Sequence, residues 1–187
     1  RQARGKDSRG QARPETPGVD RSRLIADITK ARVAISKAKV KTAIEFVEGI
    51  LEQGEKVIVF SCFDEPVQKL TEHFGEQARK ITGATASKKR QAIVDEFQNG
   101  DEVRVLCANL IAGGVGINLT AASQVVFTDL DWVPANHWQA EDRAYRIGQT
   151  QTVNVTYMIA RHSIDEFVRA ILESKASLID DLIEGRA

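Results

Sequence analysis

The chain has 187 residues and a mass of 20.6 kDa, with 42% hydrophobic and 28% charged side chains, enough apolar material for one ordinary domain and too much for wholesale disorder. Lysine plus arginine and aspartate plus glutamate each number 26, so net charge is zero and global charge gives no signal for nucleic acid. No apolar run approaches the roughly 18 residues of a membrane span, and no secretory leader is expected.

Residues 1–19 are rich in Arg, Gln, Gly, Ser and Pro, which predicts a flexible arm or linker that cannot repay the entropy of ordering. Nine basic side chains lie between Arg1 and Arg32 against Asp7, Glu15, Asp20 and Asp27, so this end is positive and the rest slightly negative. From Asp20 to Gly54, Leu24, Ile28, Val33, Val40, Ile44, Val47 and Ile50 recur at helical intervals and predict one or two helices. Strands are predicted at Lys56–Ser61, Ala78–Thr82, Val103–Cys107, Gln124–Thr128 and Val153–Ile159. Helices are predicted at Asp64–Phe74, Ser87–Gln98 and Ala135–Ile147, with Gly75 and Gly100 as stops. A last helix opens with Ser163 and Glu166 in capping-box spacing and carries an apolar stripe through Ile164, Phe167, Ile171, Leu178 and Leu182 that must dock on something. The divisions are thus an arm (1–19), a helical lead-in (20–54), a sheet-bearing lobe (55–162) and a C-terminal helix (163–187), with no internal repeat. Strands alternating with helices imply an α/β fold, a parallel sheet covered on both faces.

Ligands of such sheets bind beyond the carboxyl ends of the strands, and three of the following segments are unusual. After the third strand, Gly113, Gly114 and Gly116 allow close backbone approach to a ligand or simply a sharp turn; there is neither a P-loop nor a dinucleotide fingerprint. After the fourth, Gln139, Arg143 and Arg146 fall at i, i+4 and i+7 and would share one helical face. Paired guanidinium groups suit charge stabilisation at a transferring phosphoryl group; a solvated face paired with Glu141 and Asp142 fits the same spacing. After the second, Gly83, Thr85, Ser87, Lys88, Lys89 and Arg90 suit backbone phosphate or plain surface. His73, His137 and His162 have no metal-ligand spacing and read as surface or cap residues. Cys62 and Cys107 read as buried thiols of a reducing compartment. No nucleophile, base and acid triad is present.

Gly113 to Ala122, Asp131-Trp132-Val133-Pro134, and Gln139 to Thr150 with its Arg-Ile-Gly-Gln-Thr ending resemble motifs V and VI of Swi/Snf-type ATPases of helicase superfamily two. The segments 57–61 and 81–85 resemble further elements of that family in order and spacing. The resemblance covers Lys39 through about Gly185. It implies a RecA-like second helicase lobe, half of a two-lobed motor whose N-terminal ATPase lobe supplies the P-loop and holds Mg2+, with ATP in the cleft between the lobes and double-stranded DNA as the track. It further implies Arg143 and Arg146 as arginine fingers with Gln139 beside them, Gly114, Gly116 and Asn118 as nucleotide-coupling positions, and Ser61, Gly83, Thr85, Asn109 and Ile111 as DNA-facing positions. The last helix is similar to the family's brace, which packs toward the first lobe.

Two departures qualify the resemblance. Asn109-Leu110-Ile111 stands where many relatives have Ser-Thr-Arg, so backbone amides are expected to replace side-chain contacts there. The 187 residues also contain no Gly-x-x-x-x-Gly-Lys and no Asp-Glu box, so the lobe by itself is expected to be inactive. It is expected to be a monomer without membrane contact and intracellular, in the cytoplasm or nucleoid of a prokaryote or the nucleus of a eukaryote. An RNA helicase lobe and a non-catalytic docking module are the competing expectations.

Overall fold

The computed structural model describes residues 20–113 and 117–183. The expected arm at 1–19, Gly114 and Gly116 of the glycine cluster, and the last four residues of the C-terminal division lie outside the described residues.

A single helix, α1 (Arg21–Glu52), spans most of the lead-in. Asp20 starts it, its carboxylate accepting from the Ser22 and Arg23 amides at 3.1 and 3.3 Å. Its fully buried residues begin at Ser36: Ser36, Lys39, Val40, Ala43, Val47 and Ile50 form one stripe at mostly three- and four-residue spacing.

Five parallel strands follow among the described residues: β1 (Val57–Ser61), β2 (Ala78–Ile81), β3 (Val105–Asn109), β4 (Gln124–Phe127) and β5 (Asn154–Tyr157), in the order β2-β3-β1-β4-β5. The sheet is the parallel one expected. β3 begins and ends two residues later than its apolar run suggested, which makes Asn109 a strand residue in register with Ser61. Alternation along each strand sends side chains to two cores. On one face Ile58, Phe60, Leu106, Ala108, Val125 and Phe127 pack against Ile93, Val94 and Phe97 of α3 (Ser87–Asn99) and Ala140 of α5 (Pro134–Glu141). On the other, Val57, Val59, Val105, Cys107 and Val126 meet Ala43 and Val47 of α1 and Val67, Leu70 and Phe74 of α2 (Asp64–Phe74). Each large side chain so buried contributes about 1.5–3 kcal/mol.

A short helix, α4 (Leu110–Gly113), leaves β3, and α6 (Ile164–Ile183) closes the fold. The capping box of α6 forms only in part: the Ser163 hydroxyl accepts from the Asp165 amide at 3.1 Å and donates to the Ala160 carbonyl. The stripe expected to dock stays largely bare, with Phe167, Leu178, Leu182 and Ile183 exposed and only Asp165 and Val168 buried.

One expectation needs correction. The helix predicted to run to Ile147 stops at Glu141. Beyond it Arg143 N bonds Ala140 O and Ala144 N bonds Glu141 O, three-residue turns that tighten the chain, while the Arg143 carbonyl is taken by Leu119 N at 2.8 Å. A long-range bond thus captures an acceptor that a continuing helix would need, and Gly148, with φ of +105°, then reverses the chain.

Candidate functional site

At the carboxyl edge, β1 lies between β3 and β4, so the loops after these three strands meet where the connections diverge. Asn109 spans two of them: its Nδ2 donates to Asp64 Oδ1 at 3.0 Å and toward the Cys62 carbonyl, while its Oδ1 accepts from Ile111 N at 3.2 Å and starts α4. Ile111 is 66% exposed on that turn. After β2, the Thr85 hydroxyl accepts from Thr82 N, and Thr85 N donates to Thr82 O, both at 3.0 Å. The exposed Gly83 sits inside that turn with an ordinary φ, and a Cβ there would meet nothing within 4 Å. Lys88 and Lys89 stand exposed on the first turn of α3, which has no side-chain cap.

Ser61 differs from the other positions expected to face DNA. It is 1% exposed, and its hydroxyl donates to Asp129 and accepts from Phe63 N. It supports the edge from inside and presents no side chain to a ligand.

Asp129 belongs to a buried ionic hub that the sequence reading missed. Lys39 Nζ lies 2.7 Å from Asp165 Oδ2 and 3.7 Å from Asp129 Oδ1 and donates to the Met158 carbonyl; the second Asp129 oxygen accepts from Ser61 and Thr128. One ammonium therefore joins α1, the end of β4 and α6, with three further donors satisfying the carboxylates, as buried charges require. The available cue was a lysine at helical spacing from Ser36 and Ala43, on the apolar face of α1. Beside the hub, the Arg32 guanidinium lies over the Phe63 and Trp132 rings, 5.4 and 5.0 Å from their centroids, and donates to the Leu130 carbonyl.

Asp131 and His137 set the entry to α5. Asp131 Oδ1 accepts from Val133 N and Asn136 Nδ2, and Asp131 N donates to His137 Nε2 at 2.9 Å. His137, expected at the surface, is 3% exposed and packs on Phe127 and Tyr157. Burial holds its pKa below the usual histidine value, so the neutral ring is the form that can accept. Burial also pushes the Cys62 and Cys107 thiols up to about 12; both are free, Cys107 buried and Cys62 half-buried, and neither is a ready nucleophile.

α5 starts at the carboxyl edge and leads back across the sheet, so Arg143 and Arg146 do not sit beside the loops just described. Their turn joins the residues entering β4 and β5: Arg143 O accepts from Leu119 N, and Gln149 Nε2 reaches the Thr120 and Ala122 carbonyls at 3.1 and 2.9 Å. From α3, Gln98 grips the same backbone through the Thr120 hydroxyl and the Ala121 amide. Gln139, exposed on α5, shares no regular helical face with the two arginines. Arg146 is exposed, and among the described residues no carboxylate pairs with it; Glu141 accepts from the Tyr157 hydroxyl instead. Asn118 is exposed just before this junction. Asn109 and Leu119 therefore lie at opposite edges of the sheet.

Residues 38–148 match the family described as the helicase conserved C-terminal domain. The chain belongs to this helicase family. The chain is 34% identical over 163 residues to the DNA annealing helicase and endonuclease ZRANB3 of Mus musculus, covering 85% of this chain and 15% of that protein. It is 37% identical over 151 residues to the putative ATP-dependent helicase/translocase YwqA of Bacillus subtilis, covering 79% and 16%. Among solved structures, the C-terminal part of the Fun30 ATPase domain superposes with a TM-score of 0.66 at 30% identity, over 72% of this chain and 44% of that one. The Sulfolobus solfataricus SWI2/SNF2 ATPase C-terminal domain follows at 0.57 and 26% identity, over 75% and 57%. These likenesses place the helicase domain in the Swi/Snf type and its sheet in the RecA-like C-terminal lobe fold. The chain spans about 15% of the length of the curated relatives it matches.

Proposed function

We propose that this lobe is the C-terminal half of a DNA-dependent ATPase that translocates on duplex DNA, working with an N-terminal ATPase lobe of the same parent chain. Arg146, with Arg143, stabilises charge on the transferring phosphoryl group, and Gln139 contributes from α5. Gly83, Thr85, Asn109 and Ile111, with Lys88 and Lys89, form the DNA-facing edge, where backbone amides and ammonium groups meet phosphates without reading bases. Asn118, with Gly114 and Gly116, belongs to the segment that joins the two functions. The observation that supports this reading is the exposed Arg146, with no carboxylate paired to it among the described residues, on a turn bonded through Arg143 O to Leu119 N just ahead of β4.

A guanidinium in that state fits an anionic phosphate. Bound ATP would supply the phosphoryl group; this lobe's own residues orient it and neutralise its charge. Mg2+ would be held mainly by the N-terminal lobe, together with the nucleotide phosphates. The lobe, a monomer, does not turn over ATP by itself, and sustained hydrolysis by the isolated lobe would contradict this.

The test is ATP turnover by the full-length parent protein with and without duplex DNA, wild type beside Arg146→Ala. Stimulation by duplex that collapses in the variant supports the reading. Stimulation untouched by the substitution, or turnover that responds to RNA and not to duplex DNA, overturns it.

A further inference from the structure

We propose that Gln149 is a positioning residue: its side-chain amide sets where Arg146 stands by clasping the backbone that arrives from the DNA-facing edge. The inference rests on the reading of Arg146 above and deepens it. Gln149 Nε2 lies 3.1 Å from the Thr120 carbonyl, 2.9 Å from that of Ala122 and 3.4 Å from that of Ala144, while its Oε1 accepts from Gln151 N at 2.9 Å. Two of those carbonyls belong to the segment entering β4; the third lies two residues before Arg146.

Upstream of Arg146 the turn is held by the buried Ala144, by Tyr145 N donating to Glu141 O and by Leu119 N donating to Arg143 O. Its backbone bonds near Arg146 are Arg146 N to Ala144 O and Gln149 N to Arg146 O, at 3.2 and 3.0 Å. The positive φ of Gly148 folds Gln149 back beneath Ala144. Tyr145 and Ile147, on either side of Arg146, are exposed and contribute little packing.

The anchor is fixed from its other side as well. Gln98 donates through Nε2 to the Thr120 hydroxyl at 3.2 Å and accepts through Oε1 from Ala121 N at 2.8 Å. Residues 120–122 are thus held by amides from α3 and from the arginine turn, so a displacement of that segment is transmitted to Arg146 through Gln149. A primary amide suits this place because it donates and accepts at once and stays neutral at every working pH.

The experiment uses the full-length parent protein and compares Gln149→Glu, which keeps the length and loses the donors, with Gln149→Met, which keeps the bulk and loses both functions. The kcat of DNA-stimulated hydrolysis is expected to fall by about 10- to 100-fold, as misplaced catalytic groups cost. KM for ATP and affinity for duplex DNA should move by less than about threefold. Adding Gln149→Met to Arg146→Ala should cost little more than Arg146→Ala alone, because the glutamine acts through the arginine.

A folded Gln149→Met protein with unchanged kcat overturns the inference, as do losses that add fully to those of Arg146→Ala. If neither substitution yields a folded protein, Gln149 is a structural residue and the inference falls. Arg146→Ala without effect would defeat the functional reading itself; a collapsed Arg146→Ala beside an active Gln149→Met defeats only the inference about Gln149.

Discussion

At the carboxyl edge of the sheet, strand ends converge on a buried hub in which Lys39, Asp129, Asp165, Ser61 and Thr128 hold one another. The opposite edge carries Arg146 on a turn fixed by backbone bonds and two glutamine amides, with Ile147 beside it 98% exposed. Under the proposed function the first edge is the track, which needs contact points at constant spacing, and ions locked beneath the surface would supply that. Under the same proposal Arg146 meets a phosphate presented by another lobe, which needs access, and the exposed turn would supply it at the expense of packing.

The largest way to break this comparison is Arg146→Ala, expected to lower DNA-stimulated turnover of the parent protein by about 10³- to 10⁵-fold, as loss of an arginine finger does elsewhere. The melting temperature of the lobe should hardly move, since the side chain is exposed. Lys39→Met should do the reverse. It leaves two buried carboxylates without their cation and should destabilise the lobe by about 3–5 kcal/mol, read from urea unfolding. A finding that Lys39→Met unfolds no more easily than wild type would remove the hub as the basis of a rigid edge.

A smaller effect concerns His137. Its folded pKa lies below the unfolded value of 6.5, so between the two the unfolded chain binds the extra proton, and stability falls as pH drops below about 6.5. Unfolding free energies measured from pH 7.5 to 5 should show that decline, with a shallower slope in His137→Gln. The smallest effects sharpen the track. Lys88→Ala and Lys89→Ala should each reduce the salt dependence of DNA binding by about one phosphate contact. Gly83→Ala should leave the melting temperature unchanged, because the added methyl meets open space, and lower DNA affinity if the backbone there touches phosphate; unaltered affinity would remove Gly83 from the track.

The sheet was legible because buried parallel strands must be apolar on both faces, and Val57 to Phe60 and Val125 to Phe127 advertise that. Helix stops at Gly54, Gly75 and Gly100 were equally visible. The end of α5 was not: Arg143 and Ala144 are good helix formers, and only the distant Leu119 amide, which takes the Arg143 carbonyl, ends the helix early. Ser61 was expected to face DNA only through the family resemblance; the partner that buries its hydroxyl, Asp129, lies 68 residues away. Gln149 was visible only as part of a motif, because carbonyl acceptors carry no side-chain signature. The apolar stripe of α6 was legible in the sequence but what covers it was not: among the described residues nothing lies over Leu178, Leu182 or Ile183.

α1 is 32 residues long, and its first firm tether is Arg32, held by the Leu130 carbonyl and two aromatic rings. At about 1.5 Å per residue, the eleven residues from Arg21 to Ala31 extend roughly 16 Å beyond that tether as a stiff rod. A rod clamped at one end works as a pointer: any tilt of the lobe is magnified at Arg21, so a pair of spectroscopic labels, one at the tip and one on the sheet, would register rotations too small to see within the core.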